Sequence, residues 1–202
     1  MDNTVKKTTR LEHKIIADLV APGSRVLDLG CGNGSLLELL TKTKGSTGTG
    51  IEIDEEAIYD CIERGLSVSH GDIDTGLSDF SDASFDYVIL HESLQQVLHP
   101  EKVIIESLRV GKKIIVGIPN FCHLSGRLQV CFLGRVPVTT ELPYQWYDTP
   151  NVKFLSIKDF RNFCKQKDIA IEKEKAIAYN REIYLLPNLL AHIGLFLLSK
   201  KH

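Results

Sequence analysis

Residues 26–35 constrain the fold of this chain more than any other segment. They read Val-Leu-Asp-Leu-Gly-Cys-Gly-Asn-Gly-Ser, an alternating apolar run followed by glycine at every second position. The apolar run predicts a buried strand, and the leucines after it predict an amphipathic helix. A strand that ends at glycines before a helix brings backbone N–H groups and a helix amino terminus close to a ligand. The segment therefore predicts a ligand site at Gly30, Gly32 and Gly34.

Asp28, two residues before the first glycine, indicates the charge of that ligand. A carboxylate there repels a pyrophosphate and attracts a cationic group. A nicotinamide-binding loop would have a third glycine where Ser35 stands, and a P-loop would continue with Gly-Lys-Ser/Thr, which is missing here. The loop therefore favours an adenosyl ligand with positive charge, S-adenosylmethionine, and leaves a nicotinamide oxidoreductase as a disfavoured alternative.

Acidic residues after the next two predicted strands fit the rest of such a ligand. Glu52, followed by Ile53, stands about 20 residues after the first glycine, the spacing expected of an acid that accepts hydrogen bonds from ribose hydroxyls. Asp54 is expected to cap the following helix instead. Asp72 and Ile73 follow the third strand and supply a carboxylate for the adenine amine and an apolar contact for its ring.

His91 ends the fourth predicted strand, at the same edge of the sheet. It is a candidate contact for the methionine moiety or for a methyl acceptor, and a purely structural role fits its position equally well. No residue stands out as catalytic. The five cysteines are scattered and form no CxxC pair, which predicts neither a zinc site nor a disulfide framework.

Composition indicates a soluble protein of one domain over residues 1–202. The hydrophobic fraction is 43% and the formal net charge is −2, so nothing favours a nucleic-acid partner. Residues 1–10 lack the apolar region of a secretory signal, and the apolar stretch at 185–198 is shorter than the roughly 20 residues of a membrane helix. We therefore expect a cytoplasmic protein that does not bind a membrane.

Strand and helix patterns alternate through the first part of the chain, which predicts a parallel sheet with helices on both faces. The expected strands are residues 25–29, 47–53, 66–69, 85–90, 113–118, 168–175 and 193–199, and the expected helices include residues 93–98 and 101–110. The alternation lapses over residues 120–151, which carry aromatic residues between prolines. An insertion of this kind is either a cover over a substrate or a contact surface for another protein.

Over residues 11–119 these features resemble motifs of the class I methyltransferases. The resemblance implies their Rossmann-like α/β fold, a mostly parallel seven-stranded sheet with helices on both faces, here with an insertion after strand five. Further runs resemble the methionine biosynthesis protein MetW family more specifically. These runs are residues 26–35, 50–54, 85–88, 108–111, 119–121, 134–139 and 142–151.

The family resemblance implies a methyltransferase-like protein of methionine biosynthesis that binds S-adenosylmethionine or S-adenosylhomocysteine. It further implies that the protein acts with homoserine O-acyltransferase as a required partner, and a ligand-bound partner could report the level of the pathway's product. The alternative is an active methyltransferase for an unidentified small-molecule acceptor. The sequence leaves the acceptor and the occurrence of methyl transfer open, because transfer from a sulfonium depends mainly on positioning.

Overall fold

The computed structural model describes residues 10–139 and 142–201. The prediction that residues 1–10 are not a secretory signal falls, except for Arg10, outside the described residues. The strands are β1 (Arg25–Leu29), β2 (Thr47–Glu52), β3 (Ser67–His70), β4 (Phe85–His91), β5 (Gly111–Pro119), β6 (Ile169–Ala178), β7 (Arg181–Glu182) and β8 (Ile193–Lys200). The helices are α1 (Leu11–Leu19), α2 (Ser35–Lys44), α3 (Glu55–Glu63), α4 (Pro100–Val110), α5 (Leu124–Leu133), α6 (Ile157–Gln166) and α7 (Pro187–Leu190).

All these strands form one sheet in the order β3-β2-β1-β4-β5-β8-β6-β7. Strands β1 to β5 are parallel to one another, and β8 inserts antiparallel between β5 and β6. This arrangement confirms the predicted α/β class, and all seven expected strands are present. The eighth, β7, pairs with the end of β6 across a turn in which Tyr179 and Asn180 have positive φ. Its two residues are too few to show a strand pattern in the sequence.

The core lies on both faces of the sheet because the central strands are buried on both sides. In β4, Val88 and Leu90 pack on the face covered by α4 and α6, while Ile89 packs on the face covered by α1 and α2. Parallel strands covered in this way leave only the strand ends open to a ligand. The fold therefore directs attention to the carboxyl ends of β1, β2 and β4. No helix in the part of the chain that the structure describes is long and apolar enough to span a membrane.

Two segments after β4 differ from their predicted structure. Residues 93–98 form only a short 3-10 turn at Leu94–Gln96. Residues 120–151, where the regular pattern lapses in the sequence, contain helix α5. The helix begins after His123, whose ring Nδ1 accepts a hydrogen bond from the Ser125 N–H, and it ends at Gly134. Its apolar residues point in nearly all directions, so no amphipathic period marks it in the sequence.

Gly34, which precedes α2, fixes how closely the glycine loop approaches α3. Its φ is +74°, and a Cβ there would lie 2.4 Å from Leu66 Cδ1 and 2.8 Å from Cys61 Sγ. Gly34→Ala is expected to destabilise the protein by about 2–4 kcal/mol, because backbone strain adds to overpacking. Gly45→Ala, at the other end of α2, is the matched control.

Gly45 has a similar φ of +62° but no heavy atom within 4 Å of a built Cβ. Only the strain of a left-handed residue remains there, about 1–2 kcal/mol. Urea unfolding of the two variants measures both losses. Equal losses would contradict the role assigned to the contact of Gly34 with α3.

Candidate ligand-binding site

A cavity of about 1070 Å³ opens at the carboxyl ends of β1, β2 and β4. It brings together eight of the nine residues predicted to bind a ligand: Asp28, Gly30, Gly32, Glu52, Ile53, Asp72, Ile73 and His91. Gly34 is the exception, since it faces Cys61 and Leu66 at the start of α2. The predicted residues come from four separate strand ends, and the parallel order of the sheet places them at one edge.

Glu52 holds the glycine loop in place. One carboxylate oxygen accepts a hydrogen bond from the Gly32 N–H at 2.7 Å. The other accepts from the N–H groups of Ile53 at 2.8 Å and Asp54 at 3.0 Å. Asp54 itself caps α3 by accepting from the Glu56 N–H, as predicted. The Glu52 carboxylate is therefore fixed at the end of β2, on the wall of the cavity.

Asp28 lies beneath the glycine loop and is only 2% exposed. Burial, and next the negative charge of Glu52, raise the pKa of its carboxyl to about 7. A group in this state is close to half protonated at neutral pH, and a cation placed beside it stabilises the charged form. A positive ligand group beside Asp28 would therefore relieve an unfavourable buried charge.

The cavity has an apolar rim on the β2 and β3 side. Ile53 is exposed there, and Ile73 lines the wall next to Gly71 and Asp72. One oxygen of Asp72 accepts a hydrogen bond from the Asp74 N–H at 2.8 Å and so fixes the turn that follows β3. Apolar surface beside an oriented carboxylate suits a flat heteroaromatic ring that carries an amine.

The opposite end of the cavity is lined by histidines. Both ring nitrogens of His91 are buried, and they have no hydrogen-bond partner among the residues that the structure describes. Burial, against the opposing charge of Glu92, lowers the pKa of His91 to about 4, so the ring is neutral at physiological pH. A Cβ at Gly117 would lie 2.3 Å from His91 Nδ1, which explains the glycine there. Unpaired buried nitrogens that face a cavity are groups for a ligand or water to satisfy.

Helix α1 and Arg10, which directly precedes it, contribute residues that the sequence analysis missed. The His13 ring lies 5.6 Å from that of His91, edge to face, and Arg10 donates two hydrogen bonds of 2.9 Å to the Glu92 carboxylate. Burial alone would raise the pKa of Glu92, but the hydrogen bonds and the positive charge of Arg10 lower it. One feature of the sequence could have indicated His13: its spacing from Ile16 and Ala17 places it on the buried face of α1.

The cavity offers polar groups for binding rather than an evident set of reacting groups. Burial raises the pKa of the Cys31 thiol well above its usual range, so Cys31 is protonated and unreactive at neutral pH. The described residues contain no cluster of three or more histidine, cysteine or acidic side chains that could hold a metal ion. The arrangement can therefore orient a cationic nucleoside by carboxylates, backbone N–H groups and imidazole.

Solved structures with the same architecture include SAM-dependent methyltransferases. A SAM-dependent methyltransferase from Mesorhizobium loti superposes with a TM-score of 0.70 at 15% identity, over 95% of this chain and 99% of that chain. A possible histamine N-methyltransferase from Thermotoga maritima gives a TM-score of 0.66 at 20% identity, over 95% of this chain and 88% of that chain. These matches confirm the Rossmann-like methyltransferase fold.

Sequence relatives are more specific. A bifunctional methionine biosynthesis protein MetXA/MetW from Rhodopirellula baltica is 36% identical over 83% of this chain, which spans only 28% of that relative's length. A ubiquinone biosynthesis O-methyltransferase from Nitrosococcus oceani is 26% identical over 78% of this chain and 68% of its own.

The family match covers nearly all of the described chain. Residues 10–198 match the family described as methionine biosynthesis protein MetW. The match includes the glycine loop, the strand-end acids and the segment that contains α5. The chain therefore belongs to the MetW family of methionine biosynthesis proteins, as its motifs predicted.

Proposed function

We propose that this protein binds S-adenosylmethionine or S-adenosylhomocysteine in the cavity and acts in methionine biosynthesis as a partner of homoserine O-acyltransferase. The observation that supports this ligand is that two carboxylates line one cavity: buried Asp28, and Glu52, which accepts a hydrogen bond from the glycine loop. A buried carboxylate with a raised pKa favours a cation, and a fixed strand-end carboxylate suits ribose hydroxyls.

Each predicted residue has a place in this binding mode. Glu52 accepts from the ribose hydroxyls, while Ile53, Asp72 and Ile73 surround the adenine. The remaining groups, Asp28, Gly30, Gly32 and His91, face the methionine part of the ligand. Gly34 acts indirectly by setting the path of the loop.

The acyltransferase partner is supported by the bifunctional MetXA/MetW relative. The matching part of that relative is 28% of a single polypeptide, so the relative carries a second, larger portion on the same chain. Fusion keeps two cooperating units at high effective concentration. In this chain we propose that residues 1–202 form one domain, that residues 120–151 contact the partner, and that the complex works in the cytoplasm.

An active methyltransferase is the second candidate. The cavity of about 1070 Å³ is at the upper end of ordinary small-ligand sites, which leaves room for an acceptor beside the adenosyl ligand. Transfer of a labelled methyl group from S-adenosylmethionine into a cell extract tests this candidate. Copurification of the acyltransferase tests the partner role separately.

S-adenosylhomocysteine is expected to raise the melting temperature of the protein in a thermal-shift titration, because it binds only the folded state. Glu52→Gln should weaken its binding about tenfold or more, since the amide cannot accept all the hydrogen bonds that the carboxylate accepts. Glu56→Gln, on exposed α3, is the control. An unshifted melting temperature at millimolar ligand would refute the proposed site.

Binding of S-adenosylmethionine is expected to strengthen about tenfold from about pH 6 to about pH 8. Asp28 is largely protonated at the lower pH and charged at the higher one, because its pKa in the empty site is about 7. Only the charged carboxylate attracts the cationic ligand. The ratio of affinities of the wild type and Asp28→Asn, measured by calorimetry at each pH, cancels the ligand's own titration. A ratio that does not change with pH would exclude this role of Asp28.

The same pKa shift has a consequence for the empty protein. Folding raises the pKa of the Asp28 carboxyl from 3.8 to about 7. The contribution of this group to the stability of the folded protein is therefore lost as the pH rises through that interval. Asp28→Asn should therefore flatten the dependence of the unfolding free energy on pH between these values. This readout needs no ligand, so it tests the burial of Asp28 even if the ligand is a different one.

Mixing this protein with homoserine O-acyltransferase is expected to give a complex with higher acyltransferase activity than the partner alone. If the protein reports the level of its ligand, S-adenosylmethionine should change that activity. The measurement is the initial rate of acyl transfer with and without each component. A rate that neither component changes would count against the partner role.

A further inference from the structure

Helix α5 is an apolar helix that the described part of the chain leaves almost uncovered. Its ten residues include Leu124, Leu128, Val130, Phe132 and Leu133, all of them exposed. Phe132 is 76% exposed and Leu133 is 65% exposed, and Gly126 is the buried residue of the helix. A helix that is apolar on most sides is normally buried. The exposed apolar side chains of α5 are called the α5 surface below.

The polar groups of α5 face back toward its own chain and fix its position. The Gln129 side-chain amide donates to the Val138 carbonyl and accepts from the Val138 N–H, at 3.0 and 3.1 Å. Arg127 donates to the Cys122 carbonyl at 2.7 Å and to the Asn188 carbonyl at 3.3 Å. A ten-residue helix has little stability alone. These bonds hold it in place and leave the apolar side chains directed outward.

A further exposed aromatic side chain, Tyr179, lies near the start of α5. Tyr179, at the end of β6, contacts the ring of His192, which in turn contacts His123 at the start of α5, with ring centroids 4.7 and 4.1 Å apart. Phe132 and Tyr179 are each more than three-quarters exposed. Burying an aromatic side chain removes about 150–250 Å² from water, and a stable interface needs about 800 Å² per partner. A few such residues with the leucines of α5 approach this area.

We propose that the α5 surface is the docking site for homoserine O-acyltransferase; this inference rests on the proposed function. The bifunctional relative argues for this occupant, because a chain related to this one is joined there to a larger portion. Residues 120–139 contain Arg127 and Arg135 and no acidic residue. Aromatic and arginine residues at the centre of an apolar surface are typical of protein interfaces.

Contacts from α5 continue to the segment behind the cavity. Gly126 packs against the Phe121 carbonyl. The Phe121 N–H donates to the Leu155 carbonyl at 3.1 Å, and the rings of Phe121 and Phe154 lie 4.8 Å apart. The base of α5 therefore rests on residues that follow the insertion.

Those residues are bonded in turn to the cavity wall. The N–H groups of Val152 and Lys153 both donate to the Gln95 carbonyl at 3.0 Å. The Gln95 side chain is buried and donates to the Glu92 carbonyl at 2.8 Å. Glu92 lines the cavity and is paired with Arg10. On this independent observation we infer that a ligand in the cavity changes the affinity of the α5 surface for its partner.

Phe132→Asp tests the docking site. It should weaken the complex with purified acyltransferase at least tenfold in calorimetry or interferometry, because an aromatic contact is replaced by a charge. Ile62→Asp, at an exposed apolar position on α3, is the matched control and should leave affinity unchanged. Circular dichroism melting confirms folding of both variants, and Leu128→Ser provides a milder second change in the α5 surface.

Unchanged affinity in folded Phe132→Asp and Leu128→Ser would overturn the docking site. So would self-association of the wild type in sedimentation analysis, if Phe132→Asp abolishes it while partner binding persists. Binding of the wild type to anionic vesicles in place of the partner, abolished by Phe132→Asp, would also overturn it. Failure of the proposed function is distinguishable, because the wild type would then bind no acyltransferase or no S-adenosylhomocysteine.

Gln95→Leu tests the coupling. We expect S-adenosylhomocysteine to change the affinity of the wild type for the acyltransferase at least fivefold, and the acyltransferase to change ligand affinity by the same factor. Gln95 does not line the cavity, so Gln95→Leu should retain both single affinities and lose most of this factor. Equal partner affinity with and without ligand in the wild type, or an unchanged factor in Gln95→Leu, would overturn the coupling.

Discussion

The contact between Glu52 and the Gly32 N–H is the interaction on which the site depends. It joins the end of β2 to the glycine loop after β1 and so decides where backbone N–H groups face the cavity. It also places a second negative charge near buried Asp28, which adds to the cost of ionising Asp28. The fold tolerates this cost at a strand end, where the proposed positive ligand would offset it. Carboxylates that destabilise the empty protein and select its ligand are a common feature of binding sites.

The convergence of the glycine loop, Glu52 and Asp72 at one cavity could be predicted from sequence because its determinants are local. The loop needs glycines at fixed positions after a strand, and Glu52 and Asp72 each follow a strand of their own. Parallel strands bring such positions to one edge whatever the details of packing. The same reasoning identified all seven principal strands. It missed β7, whose two residues follow a turn with Tyr179 and Asn180 at positive φ.

The other side of the cavity depends on contacts between distant residues, which no local pattern carries. Arg10 and Glu92 meet only because α1 packs beside the end of β4. The neutral state of His91 follows from burial, which depends on Gly117 in the neighbouring strand. Helix α5 was missed for the opposite reason. Its sequence is apolar on too many sides to show a period, and that property is the one that gives it significance on the surface.

The position of α5 bears on whether the protein is an enzyme or a ligand-binding partner. A cover over a substrate would direct its apolar side chains into the cavity, yet those of α5 point to solvent. Residues 92–97 lie between the cavity and the segment that supports α5. Glu92 and Gln96 line the cavity, and the Gln95 carbonyl accepts hydrogen bonds from residues 152–153. Residues 92–97 are thus connected both to the cavity and to the residues that support the α5 surface. A ligand that repositions it by a fraction of an ångström alters both, because packed, hydrogen-bonded elements move between discrete arrangements rather than deforming continuously. This geometry favours control of a partner through ligand binding, and methyl transfer is not required for it.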